Sequence, residues 1–154
     1  QNCETYFLIQ QYRFGARLQL RIECDEQDRN EIYRCRLPKL TLQPILENSI
    51  IHGTESKIGS GNLVVRLERT GRRLLIEVSD DGVGMDAQSQ ARVFEPFFTT
   101  RRNRGGSGLG LYIAYNLVTQ SLGGRIECFS TPGVGTEFRI RFPVISPAVP
   151  VPPG

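Results

Sequence analysis

The sequence predicts an α/β domain. Two patterns carry that expectation. Stretches 17–24, 63–69, 74–80, 125–130 and 136–142 alternate apolar and polar residues with the period of a strand. Stretches 41–53 and 108–122 instead repeat apolar residues at helical spacing. At 154 residues, with 39% hydrophobic and 23% charged residues, the chain is long enough for one domain with a real core and too apolar for disorder.

Taken in order, residues 3–14 read as a short helix with Tyr6, Phe7 and Ile9 in a partly amphipathic stripe and Gly15 as its stop. The stripe packs either on an upstream helix outside this chain or on its own sheet. In 17–24, Leu18, Leu20 and Ile22 oppose Arg17, Gln19, Arg21 and Glu23, as in a half-exposed strand. Residues 25–36 are charged and read as loop. Thr41 suits a helix N-cap, and Pro44 then falls in the first turn, where its missing N–H costs little. Leu42, Ile45, Leu46, Ser49 and Ile50 make the core face of that helix. Asn48 and His52, four apart, share a different face, with Glu47 bordering it and Gly53 ending the helix. Such a face suits a phosphate or a hydrated metal; it equally suits a solvated face with His52 capping the C-terminus.

Residues 57–62 read as loop, and 70–73 turn the strand 63–69 back into the strand 74–80 as a hairpin. That second strand holds the most informative position. Asp80 continues the apolar parity of Leu74, Ile76 and Val78, so a carboxylate sits on the buried face and needs donors. Gly82 and Gly84 follow and let the backbone turn and approach closely. The pair of features describes a pocket floor, with Asp80 accepting from a ligand amine. It also describes an acidic turn, with Asp80 bonded to neighbouring amides.

After Met85 come a polar helical turn or two and then 93–100, where Phe94, Phe97 and Phe98 flank Pro96 and anchor the segment on the core. Residues 101–110 carry three arginines and four glycines before a helix start. This reads as a basic, flexible lid over an anion held at backbone amides, or as a plain flexible connection. The Gly-x-Gly-x-Gly spacing matches neither the dinucleotide fingerprint nor the P-loop. The helix 108–122 ends at Gly123-Gly124, two strands follow, and from Pro143 the composition turns to Pro, Val and Ala, as in a linker or tail.

A net charge of +3 gives no reason to expect nucleic acid as a partner. No apolar run has the length of a membrane span, and no signal peptide is visible. Cys3, Cys24, Cys35 and Cys128 have no CxxC spacing and read as free thiols in a reducing cytoplasm. The start at Gln1, with Met85 the only methionine, predicts a piece of a longer protein.

The order of these motifs matters more than any one of them. An Asn-bearing helix, Asp-x-Gly-x-Gly after a strand, a Phe-rich segment, Gly-x-Gly-x-Gly before a helix and Gly135-Thr136 before the last strand together resemble the ATP-binding domain of sensor histidine kinases. That group lies within the gyrase, Hsp90, histidine kinase and MutL superfamily, and the resemblance covers residues 3–143. The first third, with Arg13-Phe14-Gly15 and 38–53, looks most like the LytS/YehU type. The Gly-Gly-Ser-Gly-Leu-Gly-Leu box looks like the larger group.

The resemblance implies a two-layer α/β sandwich, the Bergerat ATP-binding fold: a mixed sheet, helices on one face and a lid over ATP. It implies domain limits of 1–15 for an upstream helix, 16–143 for the ATPase domain and 144–154 for the tail. Asn48 would coordinate Mg2+, with Glu47 and His52 as further catalytic candidates. Asp80 would bind the adenine amine, Gly82 and Gly84 would shape its pocket, and Thr136 would close it. Phe94 and Phe98 would anchor the lid. Gly106, Ser107, Gly108, Leu109 and Gly110 would run along the phosphates, with Arg101, Arg102 and Arg104 nearby.

Two departures stand out. Ile51 stands where family members often carry Lys three residues after the Asn, so Arg101, Arg102, Arg104 or His52 would have to substitute. Pro44 stands where water-attacking relatives carry an activating Glu. The implied function is the catalytic domain of a two-component sensor histidine kinase, passing the γ-phosphate of ATP to a histidine on an upstream dimerisation and phosphotransfer domain. A response regulator receiver domain would be the next partner. The whole protein would be a homodimer, with this domain on the cytoplasmic side of a membrane-attached bacterial sensor. The rivals are a serine kinase of the anti-sigma type and a nucleotide-binding module whose catalysis has decayed.

Overall fold

The computed structural model describes residues 18–35, 37–38, 41–54, 61–99 and 108–144. The expected helix over 3–14 and all of the expected 144–154 tail except Val144, whose N–H donates to the Arg72 carbonyl at 2.5 Å, lie outside them. Strand β1 (Leu18–Cys24) and helix α1 (Glu26–Arg34) open the described chain. Helix α2 (Gln43–Thr54) follows, then the hairpin of β2 (Gly61–Thr70) and β3 (Arg73–Asp80). Helix α3 (Ala87–Arg92) and helix α4 (Gly110–Asn116), which continues as a wider π-type turn over Leu117–Ser121, precede β4 (Arg125–Thr131) and β5 (Gly135–Pro143). The five strands form one mixed sheet in the order β1-β2-β3-β5-β4, with β1 parallel to β2 and every other pair antiparallel. This is the expected α/β sandwich.

The register turns the alternating pattern of each strand into layers across the sheet. One layer runs Cys24, Leu67, Ile76, Ile140, Ile126; the next runs Ile22, Val65, Val78, Phe138, Cys128. Ile76, Val65, Val78, Phe138 and Ile140 are fully buried there. Leu42, Ile45 and Leu46 of α2 and Ala114 and Val118 of α4 and its continuation complete the core. The opposite parity carries charge instead: Glu77 lies 3.8 Å from both Arg66 and Arg139, and Arg139 caps the Phe129 ring at 4.6 Å. Apolar burial drives the first face, while such half-exposed ion pairs add little.

Three expectations are corrected. Residues 25–36 are not loop, because 26–34 form α1. Its ends explain it: Asp25 accepts from the Gln27 amide at 3.3 Å, Glu26 and Asp28 lie in the first turn and Arg34 in the last. Only Ile32 of this helix is buried, so no apolar period could reveal it, and an ion pair of Glu31 with Arg69 holds it to β2. Thr41 does not start its helix: its hydroxyl donates back to the Pro38 carbonyl at 2.8 Å, and α2 opens two residues later. The single helix expected over 108–122 is α4 plus the π-type turn, which shifts the register so that Leu122 N–H donates to the Leu117 carbonyl at 3.0 Å.

Phe138 anchors the middle of the sheet, fully buried and 6.1 Å edge-on from Phe94. Phe138→Ala should therefore lower stability by about 3–5 kcal/mol. Urea unfolding followed by circular dichroism measures this, and a loss under about 1 kcal/mol would contradict the assigned core.

Candidate functional site

The third layer of the sheet is where polarity replaces the apolar pattern. It runs Leu20, Leu63, Asp80, Thr136, Ser130 from β1 to β4. Asp80 is 9% exposed and Thr136 3%. Asp80 Oδ1 accepts from the Gly82 amide at 2.9 Å and the Thr136 amide at 3.3 Å. The second carboxylate oxygen, Oδ2, is buried and makes no hydrogen bond among the described residues. One oxygen thus belongs to the turn, as the second sequence reading of Asp80 has it, and the other does not.

Helix α2 brings two more such atoms. Ser49 Oγ and Asn48 Oδ1 are buried and also lack a hydrogen-bond partner among the described residues. The Ser49 hydroxyl is near enough to Asp80 to favour its charged form, although no well-formed bond joins the two. Buried polar atoms without partners are rare because each forfeits its hydration. Three of them, on α2 and the facing end of β3, leave lone pairs that donors or a cation could take up. Burial raises the Asp80 carboxyl above its ordinary value. The amides of Gly82 and Thr136 and the Ser49 hydroxyl oppose that shift, and the Asp81 charge adds to it.

The loop after Asp80 is held by backbone and hydroxyl contacts. Gly82 supplies the amide to Asp80. Gly84 has φ +71°, and a Cβ there would lie 2.1 Å from the Thr131 carbonyl. Its missing side chain thus makes room for the β4–β5 turn as well as for any ring. Gly133 N–H donates to the Val83 carbonyl at 2.7 Å, and Met85 N–H donates to Ser130 Oγ at 2.7 Å. Gln90 of α3 clamps the same edge, donating to the Cys128 carbonyl at 2.9 Å and accepting from Ser130 N–H at 3.2 Å. The Cys128 thiol, buried and near the Asp80 charge, is pushed up to about 12 and stays protonated.

Phe94 packs on Tyr115 at 5.4 Å and on Phe138, and Phe98 lies under the Arg92 guanidinium at 4.8 Å. Phe97, expected to help anchor the segment on the core, is instead 60% exposed; it takes φ +66°, and its N–H donates to the Gly108 carbonyl at 2.9 Å. Gly108 in turn has φ +75°, and a Cβ there would meet the Phe97 backbone at 2.5 Å. Gly110 lets α4 close on α2, since a Cβ would sit 3.2 Å from Pro44 Cβ. Leu109 leads into α4 as its N-cap residue. Glu47 accepts from Gln43 Nε2 at 2.9 Å on the border of the Asn48 face. The backbone of His52 lies in α2, while its side chain, Arg101, Arg102, Arg104, Gly106 and Ser107 lie outside the described groups. Sequence reading missed Ser49, which its spacing assigns to the core face, and Ser130 and Gln90. The parity of Ile126 and Cys128 was the available signal for Ser130.

A family described as the histidine kinase-, DNA gyrase B- and HSP90-like ATPases matches residues 36–146. The chain belongs to that family. Among curated relatives of this ATPase domain, the alginate biosynthesis sensor protein KinB of Pseudomonas aeruginosa is 36% identical over 84% of this chain and 21% of its own length. The circadian input-output histidine kinase CikA of Synechococcus elongatus is 33% identical over 97% of this chain and 20% of its own. The chain thus spans about a fifth of these relatives. Neither carries a LytS or YehU name, so the finer likeness of the first third goes no further. The catalytic domain of the histidine kinase ThkA superposes with a TM-score of 0.67 at 23% identity, over 91% of this chain and 89% of that one. The mycobacterial sensor histidine kinase MprB gives 0.65 at 20%, over 91% and 90%. At such identities these two speak for the fold.

The raised pKa of Asp80 has a definite consequence for stability. A carboxyl that binds its proton more tightly when folded destabilises the folded state once ionised, so its contribution falls as pH rises from 3.8 through the raised folded value. At neutral pH Asp80→Asn, which keeps an acceptor for both amides, should unfold at a urea midpoint equal to or above the parent. The gap should close on acidification through that window. A clearly lower midpoint at pH 7 would show that Asp80 serves the fold rather than a ligand.

Proposed function

We propose that this domain presents the γ-phosphate of magnesium-bound ATP to a histidine on another segment of a longer sensor protein. The observation that supports this most is the set of buried, unpartnered atoms Asp80 Oδ2, Ser49 Oγ and Asn48 Oδ1. Their chemistry matches the ligand: a carboxylate suits an exocyclic amine, and an amide oxygen is a hard donor of the kind Mg2+ takes. The family and the sensor kinases among its relatives point the same way.

In this reading Asp80 orients adenine from the end of β3, with Gly82 and Thr136 fixing the carboxylate. Asn48 would hold the ion, which supplies charge neutralisation at the phosphates. Catalysis is then positioning and electrostatics more than proton transfer. Pro44 occupies the position of the water-activating Glu in other members, and its ring is packed against Gly110, so attack by water gains no base there. His52, the only histidine of the chain, lies in the helix that carries Asn48, so the acceptor comes from elsewhere. The wider assignment follows: an upstream dimerisation and phosphotransfer domain, a receiver-domain partner, a homodimeric protein and a cytoplasmic position for this domain. Residues 16–143 form the ATPase unit. No helix among the described residues is long and apolar enough to cross a membrane.

Calorimetric titration with ATP, with and without Mg2+, tests the site. Asp80→Asn removes a charged acceptor worth roughly 1.5–3 kcal/mol, so it should weaken ATP binding about ten- to a hundredfold. Asn48→Ala should abolish the dependence of ATP binding on Mg2+. For the transfer itself, this chain alone should incorporate little radioactive phosphate from ATP. Adding a segment that carries the acceptor histidine should give acid-labile, base-stable label, and Asn48→Ala should remove it. Acid-stable label on a serine of a partner would overturn this assignment in favour of a serine kinase, and binding without any transfer would favour a decayed module.

A further inference from the structure

The face of the sheet turned away from the helices follows a charge rule and breaks it in one place. Across the middle of that face the register sets Glu23, Arg66, Glu77, Arg139 and Glu127 side by side, with the sign alternating over all five strands. One row further from Asp80 the alternation fails. Arg125 of β4 stands directly opposite Arg141 of β5. Arg73 of β3 pairs with Pro143, which makes it a diagonal neighbour of Arg141 on the same face. Arg72, in the turn between β2 and β3, adds a fourth charge.

Directly opposed side chains have Cβ atoms about 5 Å apart, and like charges in that position destabilise a sheet. Arg66, Arg69 and Arg139 each have an ion-pair partner, whereas Arg72, Arg73, Arg125 and Arg141 have none among the described residues. Glu68 and Glu127 stand diagonally from Arg73 and Arg141 and close no ion pair with them. The four arginines are also held in place. Three are strand residues, and the turn carrying Arg72 is fixed by Gly71 at φ +62° and by the bond from Val144 N–H to the Arg72 carbonyl. A local rule broken without compensation inside the fold needs a cause outside it.

The chemistry of that cause follows from the same residues. Guanidinium groups match phosphate in charge and geometry. All four arginines are exposed, so they enclose no small ligand. None of the large apolar side chains exposed among the described residues belongs to the turn 70–73 or to the strand ends around it. This end therefore offers a protein partner no buried anchor and a membrane no inserting wedge. What fits is adsorption on an extended phosphate-bearing plane, where single weak attractions add up. We propose that the end of the sheet carrying Arg72, Arg73, Arg125 and Arg141 is a docking surface for the anionic headgroups of a lipid bilayer. Arg73 and Asp80 are the two ends of one strand, roughly 20–25 Å apart at about 3.4 Å per residue, so a docked domain keeps its candidate site away from the surface. The inference uses charge and register alone and does not depend on the reading of Asp80.

The test is co-sedimentation of this chain with vesicles of phosphatidylcholine alone and of an equal mixture with phosphatidylglycerol. The chain should bind the mixed vesicles and not the neutral ones, with an affinity that falls as salt rises. Each of Arg72→Gln, Arg73→Gln, Arg125→Gln and Arg141→Gln should weaken binding about fivefold. Arg66→Gln, taken from the alternating row, should weaken it far less. Arg141→Glu separates binding from folding. It sets opposite charges across the Arg125 pair, so it should raise the urea midpoint while it removes vesicle binding. Equal binding to neutral vesicles, or full binding by the four glutamine variants, would overturn the proposal. So would loss of binding in a triple Arg101→Gln, Arg102→Gln, Arg104→Gln variant if the four leave it intact. Tighter binding to duplex DNA or to polyglutamate than to the mixed vesicles at the same salt would overturn the choice of lipid. A lowered urea midpoint in Arg141→Glu would remove the like-charge cost on which the proposal stands.

Discussion

The strand register that sets Asp80 of β3 against Thr136 of β5 is the constraint on which the site depends. It does two things at once. It extends the buried face of the sheet by one layer, and it makes that layer polar. A carboxylate in such a place is tolerable because one oxygen is tied to two backbone amides, which are fixed by the sheet and the turn and cannot rotate away. The other oxygen is thereby aimed and left over. A one-residue slip of β5 would carry Thr136 to the other face and remove an amide from Asp80, so the apolar layers beneath guard the chemistry above them.

Those apolar layers are the part of the molecule that the sequence shows most openly. Leu74, Ile76 and Val78 alternate without a break, and the parity runs on into Asp80, so the site was visible as a violation of its own strand pattern. Helix α2 was legible for the same reason, with Leu42, Ile45 and Leu46 on one face. Helix α1 was not, because a helix that buries Ile32 alone carries no period; only its charges and the Asp25 cap betray it. The π-type turn after Asn116 has no composition of its own and follows from packing.

Side-chain partnerships were the least legible. Ser49 sits at a core spacing in α2, and a hydroxyl at such a position reads as small and neutral until the facing carboxylate is known. Ser130 and Gln90 are tied to groups far off in sequence, Ser130 to Met85, 45 residues away, and to Gln90, 40 residues away. The glycines after Asp80 and before α4 read as room for a ligand. In the fold, Gly84 and Gly108 first make room for protein backbone, at Thr131 and Phe97, and the site inherits the shape that results.

The bond from Phe97 N–H to the Gly108 carbonyl has one more effect. It fastens the two ends of the stretch 98–107 to each other instead of to separate parts of the sheet. The entropy of closing such a stretch grows only with the logarithm of its length, so doubling it adds about 0.6 kcal/mol. Insertions and deletions between those two residues therefore leave the layers beneath almost untouched. The number of residues between Phe97 and Gly108 is thus uncoupled from the positions of Asp80, Thr136 and Asn48.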